Sequence, residues 1–201
     1  MSGIYDLKLT MKETGIDKFV ELYQHQEKYL AYCRECHNYG TKWSCPPLNV
    51  NTADFLRPYR YVTVAAVQMV FRKGIVESVP PDKIKEVTID TILPVKNVFH
   101  DAMLSAEQEI PDSITLSSGG CTLCDKCLRP EAKPCRQPAR MRYSLDSFGF
   151  DLSAITEELL GIKLLWCKGK LPDYYTLVHA LFTYEPDEGR IERVLRKALM
   201  D

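Results

Sequence analysis

Seven of the eight cysteines of this 201-residue chain lie in two short segments, and thiols are strong metal ligands. The opening residues lack the basic and apolar stretches of a secretory signal, and no apolar run approaches the roughly 20 residues that span a bilayer. We therefore expect a cytoplasmic protein without a membrane span, in which thiols stay reduced and bind metal. The candidate ligands form two groups, Cys33, Cys36 and Cys45 in the first and Cys121, Cys124, Cys127 and Cys135 in the second.

The second group has three cysteines separated by two residues each, and the fourth follows after a gap of seven. Three thiols on a tight turn can face one cubane, so this spacing predicts a [4Fe–4S] cluster. Ferredoxins place their fourth cysteine after three residues and directly before Pro, whereas Pro138 here follows Cys135 by three. Zinc is the alternative cofactor, although it usually takes two Cys-x-x-Cys pairs, and a set of reduced structural thiols is a third interpretation.

The first group supplies only three thiols, on a segment that Gly40, Pro46 and Pro47 keep irregular. Three thiols can hold a second cubane if a fourth ligand comes from elsewhere or if one iron stays open. The candidates for the fourth ligand are His37, Cys167 and a cysteine exchanged with the second group. The alternatives are a zinc knuckle or a loop that covers the other cluster without binding metal.

The net charge of −1 gives no general reason to expect binding to nucleic acid or to an acidic membrane. Positive charge is concentrated locally, between residues 126 and 142. Cations near an all-thiolate cluster stabilise its negative charge, and such a loop could also dock an acidic redox partner. A solvated basic loop is the plainer interpretation. The cations are Lys126, Arg129, Lys133, Arg136, Arg140 and Arg142, against Asp125 and Glu131.

The remaining pattern predicts an α+β domain over residues 1–201, with an antiparallel or mixed sheet and flanking helices. The two cysteine-rich loops, 33–47 and 119–142, are expected to cluster at one end. Strands are predicted at 4–10, 59–71, 113–117, 163–166 and 174–184, and helices at 11–32, 93–110, 151–160 and 187–200, with a turn and a short helical stretch at 80–86.

Individual residues carry smaller expectations. Asp151 or Ser153 should cap the helix at 151–160, and Gly161 should end it. Cys167 follows a predicted apolar strand and is expected to be a buried structural thiol. The histidines outside the cysteine loops fall on periodic segments and are expected to be structural; they are His25, His100 and His179.

Together these residues resemble a prokaryotic family described as predicted metal-binding proteins (domain of unknown function 2284). The resemblance runs from about residue 20 to 170 and implies metal or cluster binding in mostly anaerobic prokaryotes. The downstream stretch is similar to that family's Arg-Pro-Ser-Met-Glu…Gly-Ile-Asp, with Tyr143 in place of Pro and Asp146 in place of Glu. The motifs are Cys33-x-x-Cys36-x-x-Tyr39-Gly40-x-x-Trp43-Ser44-Cys45-Pro46-Pro47, Gly119-Gly120-Cys121-x-Leu123-Cys124-x-x-Cys127, Pro134-Cys135-Arg136-x-Pro138 and Arg142-x-Ser144-x-Asp146-x-x-Gly149-x-Asp151.

Three functions fit this pattern. The first is a redox module that passes electrons through iron–sulfur clusters. The second is an enzyme whose three-cysteine cluster offers an open iron to a small molecule, with Arg34, Tyr39 and Lys42 nearby. The third is an interaction module stabilised by zinc. Radical S-adenosylmethionine chemistry is disfavoured because its Cys-x3-Cys-x2-Cys spacing is absent from the sequence.

Overall fold

The computed structural model describes residues 3–200, and within them the chain forms a mixed α and β fold around an antiparallel sheet. The strands are β1 (Tyr5–Gly15), β2 (Tyr61–Phe71), β3 (Ile114–Leu116) and β4 (Tyr174–Thr183). Their order across the sheet is β1-β2-β4-β3, and every neighbouring pair is antiparallel. This confirms the predicted fold class.

Helices cover both faces of the sheet, which explains why β2 is an almost unbroken apolar run. Alternate residues of β2 face opposite sides: Ala65 and Val67 join one apolar core, while Val62 and Val64 join the other. The helices are α1 (Ile16–Tyr23), α2 (Gln26–Arg34), α3 (Thr52–Leu56), α4 (Ile75–Ser78), α5 (Ile84–Glu109), α6 (Leu152–Leu160) and α7 (Glu188–Met200).

The first core lies between the sheet and helices α5 and α7, and the second lies between the sheet and helices α1 and α6. Phe99 of α5 and Leu195 of α7 are fully buried in the first. Phe19 of α1 and Ile155 of α6 are fully buried in the second. Helices therefore pack on both faces of the sheet, and the cysteine loops extend from its β3 edge and from the end of α2.

The predicted helix over residues 11–32 is wrong in its first five residues, which continue β1. Met11 lies opposite Ala65 of β2, so the chain stays extended through Gly15. The helical part is also interrupted, because Gln24 forms a bridge with Phe150 between α1 and α2. Apolar residues in this segment fit a period of two as well as one of 3.6, and pairing with β2 decides between them.

The predicted strand at 163–166 does not form in the described chain. Because β2 and β3 occupy the two edges of β4, this segment has no free neighbour in the centre of the sheet. Trp166 is 69% exposed and Cys167 is exposed, so the expectation of a buried Cys167 is wrong.

Helix α5 begins at Ile84, nine residues before the predicted start, and runs for 26 residues through Pro94. Buried residues on either side of Pro94, such as Thr91 and Val95, hold the helix continuous across it. The predicted turn and short helix at 80–86 correspond to a 3-10 turn, Pro81–Lys83, that leads into α5.

The predicted boundaries of α6 are confirmed. The Asp151 carboxylate accepts a hydrogen bond from the amide of Ala154 at 3.0 Å, so Asp151 rather than Ser153 is the N-cap. Gly161 ends the helix with φ at 66°, a left-handed conformation that favours glycine. Among residues 3–200, the helices are too short or too polar for a membrane span.

Candidate metal centre

The first cysteine loop begins at the last turn of α2 and returns through Pro46 and Pro47. Successive backbone hydrogen bonds shape it, from the amide of Cys36 to the Cys33 carbonyl (3.0 Å) and from the amide of Cys45 to the Lys42 carbonyl (3.1 Å). These turns place the three thiols at different depths. Cys45 is buried, Cys33 is half-buried and Cys36 is exposed.

The charges of the three thiols of the first group act on one another. The pKa of the Cys33 thiol is raised to about 11, mainly by burial and in addition by the charges of Asp146, Cys45 and Cys36. Burial also raises the pKa of Cys45, which lies near Asp146 and Cys36. Thiolates at this site therefore need a cation to offset their charge, and metal binding would release protons.

The second cysteine loop leaves the sheet at β3 and is closed at its base. The amide of Ser117 donates to the Tyr143 carbonyl at 2.7 Å, and the amide of Leu145 donates to the Ser117 carbonyl at 3.0 Å. The Ser118 hydroxyl then pairs with the backbone of Val178, at 2.7 Å to its carbonyl. These contacts fix both ends of the loop to the central strands.

All four thiols of the second group line one cavity, together with apolar and cationic side chains. The amide of Gln137 donates to the Cys135 sulfur at 3.4 Å, and its side-chain amide lies 3.8 Å from the Cys124 sulfur. Hydrogen bonds from N–H groups to sulfur stabilise thiolate ligands. The lining residues that bear on binding are Cys121, Cys124, Cys127, Cys135, Lys42 and Arg136.

Arg129 of the second loop locks the two loops together. Its guanidinium donates to the backbone carbonyls of Lys42, Cys45 and Pro47 and lies over the Trp43 ring, 5.3 Å from the ring centroid. The Trp43 indole in turn donates to a carbonyl of the second loop at 3.2 Å. A planar cation with several donors suits this role, because it can bond three carbonyls at once.

Ser44 connects the two cysteine groups directly. The amide of Cys121 donates to the Ser44 hydroxyl at 2.9 Å, and that hydroxyl lies 3.6 Å from the Cys45 sulfur. The Lys42 ammonium also donates to the Cys121 carbonyl at 3.1 Å. The two groups are therefore adjacent parts of one centre.

Lys96 of α5 and Asp146 lie beneath the loops. The Lys96 ammonium donates to the Gly120 carbonyl at 2.6 Å, and burial lowers its pKa. Burial raises the pKa of Asp146, while the Gly119 amide, the Lys96 charge and the Ser144 hydroxyl lower it. The Asp146 Oδ1 atom is buried and has no hydrogen-bond partner within residues 3–200.

The sequence-predicted candidates for a fourth ligand lie in different places. His37 is exposed, and its carbonyl accepts a hydrogen bond from Thr41. Cys167 lies beside Tyr175, whose hydroxyl is 2.7 Å from Thr88 near the start of α5. Cys167 therefore lies near the Thr88 end of α5. Eight residues of that helix, about 12 Å, separate Thr88 from Lys96, which lies under the cysteine loops.

Several cations of the basic segment, residues 126–142, pair with acidic side chains or carbonyl groups of the protein itself. Arg142 pairs with Glu107 of α5 in a nearly buried bridge, and Arg129 binds carbonyls of the first loop. Lys126 and Lys133 flank Glu131, and Arg140 pairs with Asp101. The exposed cations are Lys126, Lys133, Arg136 and Arg140.

The donors fit a metal or an iron–sulfur group. All eight cysteines are free thiols, and seven of them gather in two adjacent loops with cations and N–H donors around them. Within the described residues, His, Cys, Asp and Glu side chains do not converge in threes close enough to hold a single metal ion.

Comparison with known proteins identifies the family. The model for a family described as predicted metal-binding protein (DUF2284) matches residues 20–181. The chain belongs to this family. Residues 20–181 include both cysteine loops, so metal binding is the property that the family description supports. No curated protein and no solved structure matches the chain.

Sequence reasoning located the two loops but not the residues that join them. In the sequence, Ser44 is only part of a motif, Arg129 is one of six cations in the basic segment, and nothing singles out Lys96. Their roles depend on partners 77 to 87 residues away for Ser44 and Arg129, and 24 residues away for Lys96. A single sequence contains no spacing signal for contacts of this kind.

Proposed function

We propose that this protein is an iron–sulfur protein that transfers electrons, with a [4Fe–4S] cluster bound by the second cysteine group. The observation that carries the proposal is the shared cavity, which all four thiols of that group line. N–H groups of Gln137 near two of the sulfurs support thiolate ligands, and exposed cations offset the negative charge of a cluster.

The first group would hold a second cluster in this proposal. Its three thiols influence one another's charge, and Cys45 lies at hydrogen-bond distance from the Ser44 hydroxyl that accepts from Cys121. Two clusters joined by such a short path can exchange electrons. The exposed cations near the second group, including Lys126 and Arg136, would form the docking surface for an acidic redox partner.

Metal and sulfide analysis tests this proposal. Protein purified and reconstituted without oxygen should be brown and contain about eight irons for two cubanes, or about four for one, with equal sulfide. Cys124→Ala should remove about four irons, whereas the matched control Cys167→Ala, at an exposed thiol outside both groups, should remove none. Colourless protein with stoichiometric zinc would replace the proposal with the zinc-stabilised interaction module.

Redox titration followed by EPR tests the electron-transfer role. The clusters should take up and release one electron reversibly, without any small molecule present. A cluster that cannot be reduced at any accessible potential would refute the role.

A second candidate function is an enzyme that binds a small molecule at an open iron of the first group. It is favoured by the placement of Cys167 beside Tyr175, which leaves Cys33, Cys36 and Cys45 without the eighth cysteine. Ligand-induced changes in the EPR spectrum of the reduced first cluster would support this function.

A further inference from the structure

Asp146 lies beside the three thiols of the first cysteine group, and one of its carboxylate oxygens could serve as a further ligand. The backbone carbonyl of Asp146 lies 3.9 Å from the Cys33 sulfur, which places the residue against the group. The residue keeps partial exposure as a whole, but its Oδ1 atom is buried. That oxygen has no hydrogen-bond partner in the part of the chain that the structure describes.

A buried carboxylate oxygen without a partner is costly, because burial removes its water. The Gly119 amide, the Ser144 hydroxyl and the Lys96 charge stabilise the Asp146 carboxylate only in part, since its pKa stays raised and Oδ1 is left without a partner within residues 3–200. Lys96 does not remove this cost, since its ammonium donates to the Gly120 carbonyl and acts on Asp146 only through space. A metal ion bound at Oδ1 would satisfy the oxygen. Carboxylate oxygens are established ligands for iron and zinc.

The surrounding structure holds Asp146 in position. It begins a 3-10 turn, Asp146–Phe148, that packs against α2, the helix that carries Cys33. The amide of Ser147 donates to the Ser144 hydroxyl at 3.2 Å, and the amide of Ser144 donates to the Ser147 hydroxyl at 3.2 Å. Asp146 therefore lies next to Cys33, and the charge of its carboxylate acts on both Cys33 and Cys45.

We propose that Asp146 is the fourth ligand of the first site, so that Cys33, Cys36, Cys45 and Asp146 hold a cluster through three thiolates and one carboxylate. This inference rests on the proposed iron–sulfur function and makes it more specific. It assigns the fourth position to this chain itself rather than to a small molecule. The iron bound to the harder carboxylate is then the one that leaves first on oxidation.

The test compares Asp146→Asn with Asp146→Cys in the reconstituted protein. Asparagine keeps the shape and loses the anionic ligand. On addition of ferricyanide, which takes up one electron per cluster, Asp146→Asn should therefore release one Fe²⁺ and convert [4Fe–4S]²⁺ to [3Fe–4S]⁺, with its EPR signal, at a lower dose of oxidant than the wild type. Asp146→Cys should restore the full iron content and suppress that signal on mild oxidation. Asp125→Asn, at an exposed carboxylate of the second loop, is the matched control and should behave as the wild type.

Rescue by cysteine distinguishes a metal ligand from a structural residue. A thiol can bind iron, but it cannot take the place of an aspartate that only supports the fold. Identical iron content and identical oxidised spectra in Asp146→Asn and the wild type would overturn the inference. Failure of both variants to hold iron at the first site, with the second site intact, would also overturn it.

A second measurement does not depend on cluster assembly. The apo-protein with Cys121, Cys124, Cys127 and Cys135 all replaced by Ala keeps only the first group, and it can be titrated with Co²⁺ alone. Because the side chains of this group lie too far apart for one ion within residues 3–200, Co²⁺ binding requires the 33–47 loop to close around the ion. Adding Asp146→Asn should weaken Co²⁺ binding at least about tenfold, and Asp146→Cys should restore it. Equal Co²⁺ affinity with Asp and Asn would refute Asp146 as a ligand. Wild-type protein that binds Co²⁺ through Asp146 but never assembles iron and sulfide would refute the proposed function alone.

Discussion

His179 lies at the centre of β4, completely buried, and its ring stacks on Phe99 of α5 with 4.1 Å between ring centroids. Neither ring nitrogen has a hydrogen-bond partner within residues 3–200. Burial lowers the pKa of His179 well below its ordinary value, and the nearby charges of His100 and Lys96 lower it further. The ring is therefore neutral in the folded protein at neutral pH, which agrees with the structural role expected from the sequence.

This histidine makes stability depend on pH. The ordinary pKa of a histidine is about 6.5, and below that pH His179 is protonated in the unfolded chain but stays neutral in the folded chain. The free energy of unfolding therefore falls as pH falls, by up to about 1.4 kcal/mol per pH unit. His179→Leu should reduce the loss of stability between about pH 7.5 and about pH 5.5 by about 1 kcal/mol. Urea unfolding at the two pH values measures this. His25→Gln, at an exposed histidine, is the control, and an unchanged pH dependence in His179→Leu would contradict the assignment.

At the scale of elements, Gly149 fixes how α2 approaches the sheet. Its φ is 82°, and a Cβ placed there would lie 2.5 Å from the Cα of Gln26, the first residue of α2. The amide of His25 also donates to the Gly149 carbonyl at 2.7 Å. The start of α2 is therefore pressed against this glycine, and the far end of α2 carries Cys33.

Gly149→Ala tests the importance of this approach. The variant should lose about 3 kcal/mol of unfolding free energy, because it combines left-handed strain with a backbone collision. Gly169→Ala is a matched control, since Gly169 has φ at 79° and no described atom within 4 Å of its Cβ position. It should lose only about 1 kcal/mol. Denaturant unfolding measures both, and equal losses would show that the contact with α2 does not matter.

The elements also show what the sequence could predict. The segment at 59–71 was predicted within two residues of β2, because a long β-branched run buried on both faces admits one interpretation. The prediction of a strand at 163–166 is wrong, because an apolar run becomes a strand only where it pairs with a neighbour. β4 is already paired on both sides, and this segment does not extend the sheet at β1 or β3. Cysteine spacing predicted the two loops, whereas Ser44, Arg129 and Lys96 act through distant partners that spacing does not encode.

At the scale of the whole molecule, charge is distributed unevenly although its sum is near zero. Exposed cations, Lys126, Lys133, Arg136 and Arg140, surround the second cysteine group, and one edge of the sheet carries Lys8 and Lys12. Only the first set lies near the proposed clusters. The exposed cations near the second group should therefore attract anionic reductants to the clusters. The lysines of β1 should not affect the rate of cluster reduction.

The double variant Lys126→Glu/Arg136→Glu tests this asymmetry. Its clusters should be reduced several-fold more slowly by dithionite at low ionic strength, and the difference should vanish at about 1 M salt, where charges are screened beyond about 3 Å. Lys8→Glu/Lys12→Glu changes the net charge equally and should keep the wild-type rate. Stopped-flow absorbance measures the reduction, and equal slowing in both double variants would mean that net charge alone sets the rate.

The order of strands has a consequence for biosynthesis. β4 lies between β2 and β3 in the sheet, yet among the strands of residues 3–200 it comes last in the chain. All seven candidate cysteine ligands and Asp146 leave the ribosome before Tyr174, while β3, which anchors the second loop, still lacks its neighbour in the sheet. A nascent chain halted before Tyr174 would thus carry every thiol of the centre without the strand that aligns them. We therefore expect the two loops to reach their folded arrangement, and to bind metal stably, only after β4 has been made. Until then the thiols depend on a reducing environment.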